Sequence, residues 1–551
     1  MTTRLPWWQS AVVYQIYPWS FQDSNGDGIG DIPGIISRLD YLNDGTADSL
    51  GIDAIWLSPI YPSPMVDFGY DVADFCTVDS RFGTLSDFDR LVKECHRRGI
   101  RLIMDLVLNH TSDQHPWFQD SRSSRSSAKR DWYYWADGKG FGRRPNNWNA
   151  RFGGSSWTWD AHSGQYYLHS FLKEQPDLNW HNPAVRTAMW DVVKFWLDRG
   201  VDGFRLDAIN WLGKDKRWPN NPFKLGLRGY TRQEHRYDRD QPLGHQALKE
   251  LRALLSGTPD VVLIGEASAD TPGGPSAFYG NGYDELHMLF DFRLLKSPWQ
   301  AERFAPLLEA GDRVIPRGGW PTVVFSNHDQ PRHIDRYGAN GDAERRARAA
   351  AVLLFTLRGT PFIYYGEELG MRNTPLRYRD LRDPYTKRYW PFRIGRDPAR
   401  TPMQWDGSEQ AGFSTGRPWL PVSPHYRELN AAREGADPAS LLNLYRRLIR
   451  LRKTFPALSE GTYRPIGTVP AGCLVFIRED ASPAKRDSDM LVAVNFSSES
   501  RTVTVPDVTS PGVIRLSTWS GTDSATPWIA ARFHLEPDEA IIVSLGNQTA
   551  A

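Results

Sequence analysis

At 551 residues the chain is too long for one ordinary core, so two or three domains are expected unless a barrel takes most of it. Lys and Arg number 66 against 65 Asp and Glu, a net charge of +1, so no broad field favours nucleic acid or an anionic membrane as partner. The longest uncharged apolar run, at 349–357, is far below a membrane span, no apolar segment of signal length opens the chain, and Cys76, Cys95 and Cys473 have no metal-like or disulfide-like spacing; a soluble cytoplasmic protein is expected.

In chain order, residues 11–18 read as a buried strand, followed by "QDSNGDGIGD" at 22–31. Asp23, Asn25, Asp27 and Asp31, with the Ile29 carbonyl, repeat the oxygen spacing of a calcium loop, but Gly34 stands where an EF-hand keeps its closing Glu. The stretch is either a cation site or a solvated acidic turn. Further short apolar runs lie at 52–61, 100–110, 201–208, 261–267, 285–292, 322–330 and 361–370, which makes eight with the first, the pattern of a parallel sheet in an α/β protein. Helical stretches fall between several of them: 84–99 precedes the third run, and 182–200, opening on Asn-Pro and stopping at Gly, precedes the fourth. A (β/α)8 barrel is therefore expected.

Residues 111–181 are too long for a simple connection and rich in Trp, Gly, Ser and Asn; they read as an inserted domain over the barrel mouth. Their one low-complexity patch, "SRSSRSSAKR" at 121–130, reads as a solvated loop. Leu441, Leu444, Leu448, Leu451 and Phe455 mark an amphipathic helix, and β-branched runs beyond it mark an all-β closing domain. The expected division is barrel at 1–110 and 182–462, insertion at 111–181 and a C-terminal β-sandwich at 463–551.

Polar residues end the apolar runs: Asn109 and His110, Arg205 and Asp207, Glu266, His328 and Asp329. In a (β/α)8 barrel that end is the catalytic face, so these distant positions would converge on one pocket. Glycoside hydrolysis needs one carboxylate at the anomeric carbon and one carboxylic acid at the leaving oxygen, and a third group can stabilise the transition state. Asp207, Glu266 and Asp329 supply the parts. Arg205, on the same side of its strand as Asp207, would hold that carboxylate ionised and favour it as nucleophile with Glu266 as acid/base. Spacing alone leaves the reverse roles, or a metal site, open. The 22 Trp, 22 Tyr and 25 Phe suit stacking on sugar rings as well as core packing.

"DLVLNHTS", "GFRLDAIN", "IGEA" and "FSNHDQ", in this order and spacing, resemble the four signature regions of glycoside hydrolase family 13, the α-amylase family. "QPDLNW" at 175–180 and "GRDPARTPMQWD" at 395–406 resemble its α-glucosidase and oligo-1,6-glucosidase branch. The resemblance implies Asp207 as nucleophile, Glu266 as acid/base and Asp329 as transition-state stabiliser, in a retaining double displacement with the two attacking carboxyls ~5 Å apart. It further implies that Asp67, Tyr70, His110, Arg205, His328 and Arg396 grip the terminal glucose, with Asp67 and Arg396, rather than Arg400, closing the pocket. Phe152, Phe171 and Gln175 would roof it, and Arg332 would stand where the next sugar enters. A structural calcium at residues 23–31 is implied, with no cofactor for catalysis.

Ala208 follows the nucleophile, where α-1,6-preferring relatives of this branch carry Val. The expected activity is exo-cleavage of maltose and malto-oligosaccharides, with sucrose a further candidate, by a monomer or homodimer. Sucrose isomerisation or transglucosylation, α-1,6 preference and a non-catalytic amylase-like interaction protein are the alternatives.

Overall fold

The computed structural model describes residues 5–140, 142–227, 229–267, 274–316, 318–338, 342–391, 395–480, 489–506, 508, 511–519, 526–528 and 532–546. Strands β1 (Val13–Ile16), β2 (Ala54–Leu57) and β3 (Arg101–Val107) come first. Three short strands follow, β4 (Trp135–Ala136), β5 (Trp157–Asp160) and β6 (Gln165–Leu168). Then come β7 (Gly203–Asp207), β8 (Val262–Glu266), β9 (Met288–Phe290), β10 (Trp320–Val324) and β11 (Thr360–Tyr364). β1–β3 and β7–β11 close into one parallel barrel, in the order β1-β11-β10-β9-β8-β7-β3-β2. Each overlaps one of the eight apolar runs, although β10 and β11 begin ahead of theirs.

The alternation of a β-strand sorts these residues into two environments. Val13, Trp56, Ile103, Val262, Ile264, Met288, Phe290, Val324 and Phe362 pack together inside the barrel, whereas Leu102, Met104, Leu263 and Val323 join the larger core under the helices. Arg205, Asp207 and Glu266 continue the inward-facing series toward the carboxyl ends, where packing gives way to chemistry.

The expected helices form with the caps their sequences offer. Thr84 and Asp87 make a reciprocal capping box on the helix Leu85–Arg97, and Asn182 caps Pro183–Leu197 by accepting from the Ala184 N–H. β4, β5 and β6 form a separate antiparallel sheet, in the order β4-β6-β5, between β3 and β7. The serine-rich stretch 121–130 is largely solvent-exposed, as expected, but it is tied down: Arg122 pairs with Asp160 at 2.7 Å and Arg125 donates to the Ser163 and Gly164 carbonyls.

After the helix Leu441–Thr454 the chain becomes all-β: β12 (Thr462–Pro465), β13 (Cys473–Glu479), β14 (Met490–Asn495), β15 (Arg501–Thr504), β16 (Gly512–Ser517), β17 (Thr526–Trp528), β18 (Arg532–Leu535) and β19 (Ala540–Leu545). A six-stranded sheet, β12-β13-β14-β19-β16-β17, and the pair β15-β18 enclose a core of Val475, Leu491, Val503, Leu535 and Val543. No helix among the described residues is long and apolar enough to cross a membrane.

Candidate active site

Asp207 ends β7, Glu266 ends β8, and Asp329 stands five residues past β10. Arg205 joins the first two. One of its amino nitrogens donates to Asp207 Oδ1 at 2.8 Å and to Asp105 Oδ1 at 2.8 Å, and the other meets Glu266 Oε2. Asp207 and Glu266 are thus close enough to share one guanidinium. Asp105 lies directly across from Arg205 in the β3–β7 register. Sequence reading passed over it, although a carboxylate inside an apolar strand demands a buried partner.

Arg205 does less for Asp207 than expected. Burial pushes the Asp207 carboxyl up, Arg205 pulls it back and Asp105 pushes it up again, leaving it at about 6. The guanidinium divides its charge among three carboxylates. At Asp329 burial is outweighed by His328, Arg396, Arg400 and Arg205, so that carboxyl is held well below the usual range. If Asp207 attacks as its anion, the raised carboxyl predicts activity present above about pH 6 and lost as pH falls below it. The kcat/KM profile is expected to show its acid limb near 6; a limb near the ordinary Asp range of ~4 would contradict this.

A cavity of about 190 Å³ opens over the triad, lined by Asp67, Tyr70, His110, Phe152, Phe171, Asp207, Glu266, Asp329 and Arg396. Arg396 bridges Asp67 at 2.6 Å and Asp383 at 2.7 Å, while Arg400 takes Asp329 at 2.9 Å, so Arg396 is the partner of Asp67. Asp383 also caps the short helix Pro384–Arg388, which brings Tyr385 to the cavity wall; neither residue stood out in the sequence. Phe152 packs on Phe171 and Tyr385 beneath the Arg396 guanidinium. Gln175, fully buried, donates to Asp67 at 3.1 Å and lies 3.1 Å from His110 Nε2, so it supports the roof from behind. Tyr70 stacks flat on His328, ring centroids 5.5 Å apart. Trp211, Arg151 and Lys296 line the same cavity and were not anticipated.

Arg332 requires correction. It does not face an entering sugar: it is 1 % exposed, donates to the Tyr365 carbonyl at 2.7 Å and lies over the Tyr364 and Tyr365 rings. Its chain turns inward at the start of the helix His333–Gly338, and the guanidinium finds aromatic faces there.

The loop at 22–31 winds on its own side chains. Asp23 accepts from the Asn25, Gly26 and Gly28 N–H groups, Asn25 from Asp27, and Asp27 from Ile29, while Asp31 caps the following helix through Gly34 and takes Ser24. Gly28 has φ +88°, and a Cβ there would fall 2.0 Å from the Arg417 carbonyl oxygen. Ser414 donates to Asp23, and Trp419 N–H to the Gly28 carbonyl, so the loop clips residues 413–419 in place. Trp419 then packs against Tyr17, which stacks beside His328. No three His, Cys, Asp or Glu side chains among the described residues gather as a ready metal cluster; this loop would add an amide and a carbonyl oxygen.

Residues 15–461 match the family "Alpha amylase, catalytic domain". The chain is 46% identical over 514 residues to a "Probable alpha-glucosidase" of Rhizobium meliloti (strain 1021), covering 91% of each chain. It is 42% identical to an "Oligo-1,6-glucosidase" of Parageobacillus thermoglucosidasius, covering 83% of this chain and 85% of that one. Among solved structures it resembles the alpha-glucosyl transfer enzyme XgtA (TM-score 0.89, 40% identity, covering 98% of this chain and 99% of that one). The trehalulose synthase MutB from Pseudomonas mesoacidophila MX-45 is similar as well (TM-score 0.87, 38% identity, covering 98% and 100%).

Proposed function

Because the chain belongs to the alpha-amylase family of glycoside hydrolases, we propose that it is an exo-acting, retaining α-glucosidase that releases glucose from short α-glucosides. The sharing of one guanidinium by Asp207 and Glu266 carries this reading, since a retaining enzyme needs its two carboxyls close together. Asp207 attacks the anomeric carbon, and Glu266 gives its proton to the departing oxygen. Water then attacks the glucosyl ester, with Glu266 taking the proton back. Asp329, held anionic by the charges of Arg396, Arg400 and Arg205, stabilises the positive charge that develops on the sugar. The Asp67–Arg396 pair stands on the cavity wall, where it would close the pocket beyond a terminal glucose, and this supports exo action.

Ala208 lines the cavity beside the nucleophile in a left-handed conformation, φ 51° and ψ 38°. A methyl leaves space where the leaving sugar sits, and a few methyl groups are worth about 1–3 kcal/mol there. Maltose and malto-oligosaccharides are the proposed substrates, with sucrose a further candidate whose fructosyl unit would occupy that space. The test is a substrate panel with products resolved by linkage: maltose is expected to turn over faster than isomaltose, and equal or reversed preference would discard the α-1,4 assignment. Transglucosylation accompanies hydrolysis in this proposal, favoured by the likeness to an alpha-glucosyl transfer enzyme and a trehalulose synthase over 98% of the chain. Products from concentrated sucrose and maltose measure its share.

A structural calcium in the 22–31 loop belongs to the same proposal. The donor chemistry suits a hard cation, although the three carboxylates are not gathered as a ready cluster: with the Asn25 amide and the Ile29 carbonyl they are hard oxygens in nine residues, and the ladder of N–H bonds fixes the turns that carry them. Bound there, the ion would tighten the clip on residues 413–419 and supply nothing to the reaction. Chelation is expected to lower Tm by roughly 3 °C or more, reversibly on adding calcium, with kcat at low temperature unchanged. An unchanged Tm would remove the ion from the account.

A further inference from the structure

Beneath the triad, four polar side chains form a chain whose proton directions can be assigned one at a time. Arg205 donates to Asp105 Oδ1 at 2.8 Å and Oδ2 at 3.1 Å, and Trp56 Nε1 donates to Oδ2 at 3.2 Å, so both Asp105 oxygens act as acceptors, and burial, which raises this carboxyl, is opposed by Arg205. Tyr70 Oη lies 3.0 Å from the same Oδ2, and its single proton goes to that carboxylate. His328 Nε2, 2.8 Å from Tyr70 Oη, therefore receives no proton from the tyrosine and donates its own.

The ring itself is neutral. Its surroundings are the Tyr17, Trp56 and Tyr70 rings, the Asp329 carboxylate and the guanidiniums of Arg400, Arg205 and Arg396. Burial lowers the imidazole to about 3, against the pull of Asp329 and with the three arginines. A neutral imidazole with its hydrogen on Nε2 carries a lone pair on Nδ1. The group facing that lone pair is Gln15, whose amide nitrogen is 2.8 Å away and gives its other N–H to Ser58 Oγ at 3.2 Å.

Gln15 sits on β1, beside Trp56 of β2 and Tyr364 of β11, a fully buried amide inside an otherwise apolar stretch of the barrel. It does not line the cavity, and the mechanism above does not use it. We propose that Gln15 locks His328 in its Nε2–H tautomer, so that the ring turns an N–H, and not a lone pair, toward Tyr70 and Asp329. Asp329 Oδ1 is 3.6 Å from that nitrogen. In the other tautomer a lone pair would face the carboxylate, and Tyr70 would have to choose between Asp105 and His328 for its one proton. Gln15 is thus a positioning residue, acting through His328 on the carboxylate that stabilises the transition state. This rests on the reading of the pocket as a glycosidase site.

The first measurement is made on the intact parent enzyme. With 15N-labelled histidine, and H328N to assign the signals, His328 is expected to show a protonated Nε2 and a bare Nδ1 at neutral pH. A protonated Nδ1 would overturn the proposal. This needs no substrate, so it is separate from maltose turnover by the same sample, which tests the glycosidase reading. Gln15→Leu removes the lock and is expected to lower kcat about 10- to 100-fold while KM changes much less, the scale on which outer partners of an active-site histidine act.

Gln15→Glu keeps the shape and inverts the demand. A carboxylate accepts from Nδ1–H and stabilises the imidazolium, which still carries its Nε2 hydrogen. As pH rises through the raised imidazole value, the proton lost is the one on Nε2, because the glutamate holds the other. The variant should therefore show an alkaline loss of kcat set by the imidazole, in addition to the limb that Glu266 as general acid gives the parent. Parental kcat in Gln15→Leu, or a parental alkaline profile in a folded Gln15→Glu, would each contradict the assignment.

Discussion

Replacing Asp207 by alanine is expected to lower kcat/KM about 10⁴-fold or more, and equally for maltose and for an α-glucoside with an activated leaving group such as p-nitrophenol. Without the attacking carboxylate no glucosyl ester forms, and a better leaving group offers no other route. The variant should fold, because Arg205 keeps Asp105 and Glu266 as partners and no guanidinium is stranded in the barrel. Thermal unfolding checks this beside the kinetics. Retained hydrolysis in the folded variant would refute the assigned nucleophile.

Glu266→Gln separates the two steps. On maltose, where the departing oxygen needs a proton, kcat/KM should fall about 10²- to 10⁴-fold, the range in which a general acid contributes. On α-glucosyl fluoride or a p-nitrophenyl glucoside the first step should be far less affected, because the leaving group departs unprotonated. The second step still lacks its base, so the glucosyl-enzyme should accumulate, and azide, which needs no base, should release it. Equal losses on both kinds of substrate would remove Glu266 from the acid/base role.

The parts of the site that were legible in the sequence are those whose chemistry is local. Asp207 and Glu266 end apolar runs, and alternation along a strand puts Arg205 on the same face as Asp207. The runs overstate the strands, since residues 11–18 contain only Val13–Ile16 as strand; the flanking Val12 and Tyr17 are apolar because they too are buried in the main core. What could not be read depends on register between distant segments. Asp105 meets Arg205 only because β3 and β7 pair with those residues opposite one another, 100 positions apart. Asp383 reaches Arg396 from a stretch with no periodic signal. Arg332 follows a signature region, but nothing local shows that its side chain turns under Tyr364 and Tyr365 instead of toward the cavity. The influence of Arg205 on Asp207 was right in sign and too large in size, because one guanidinium serves three carboxylates.

The central claim, that Asp207 carries the glucosyl group between the two half-reactions, is tested most directly by locating the covalent adduct. Glu266→Gln enzyme is mixed with α-glucosyl fluoride, quenched in acid, digested and mapped by mass spectrometry. One glucosyl unit on the peptide containing Asp207, at that carboxylate, is the predicted result. An adduct on Asp329, or a product of inverted anomeric configuration with no adduct at all, would contradict it.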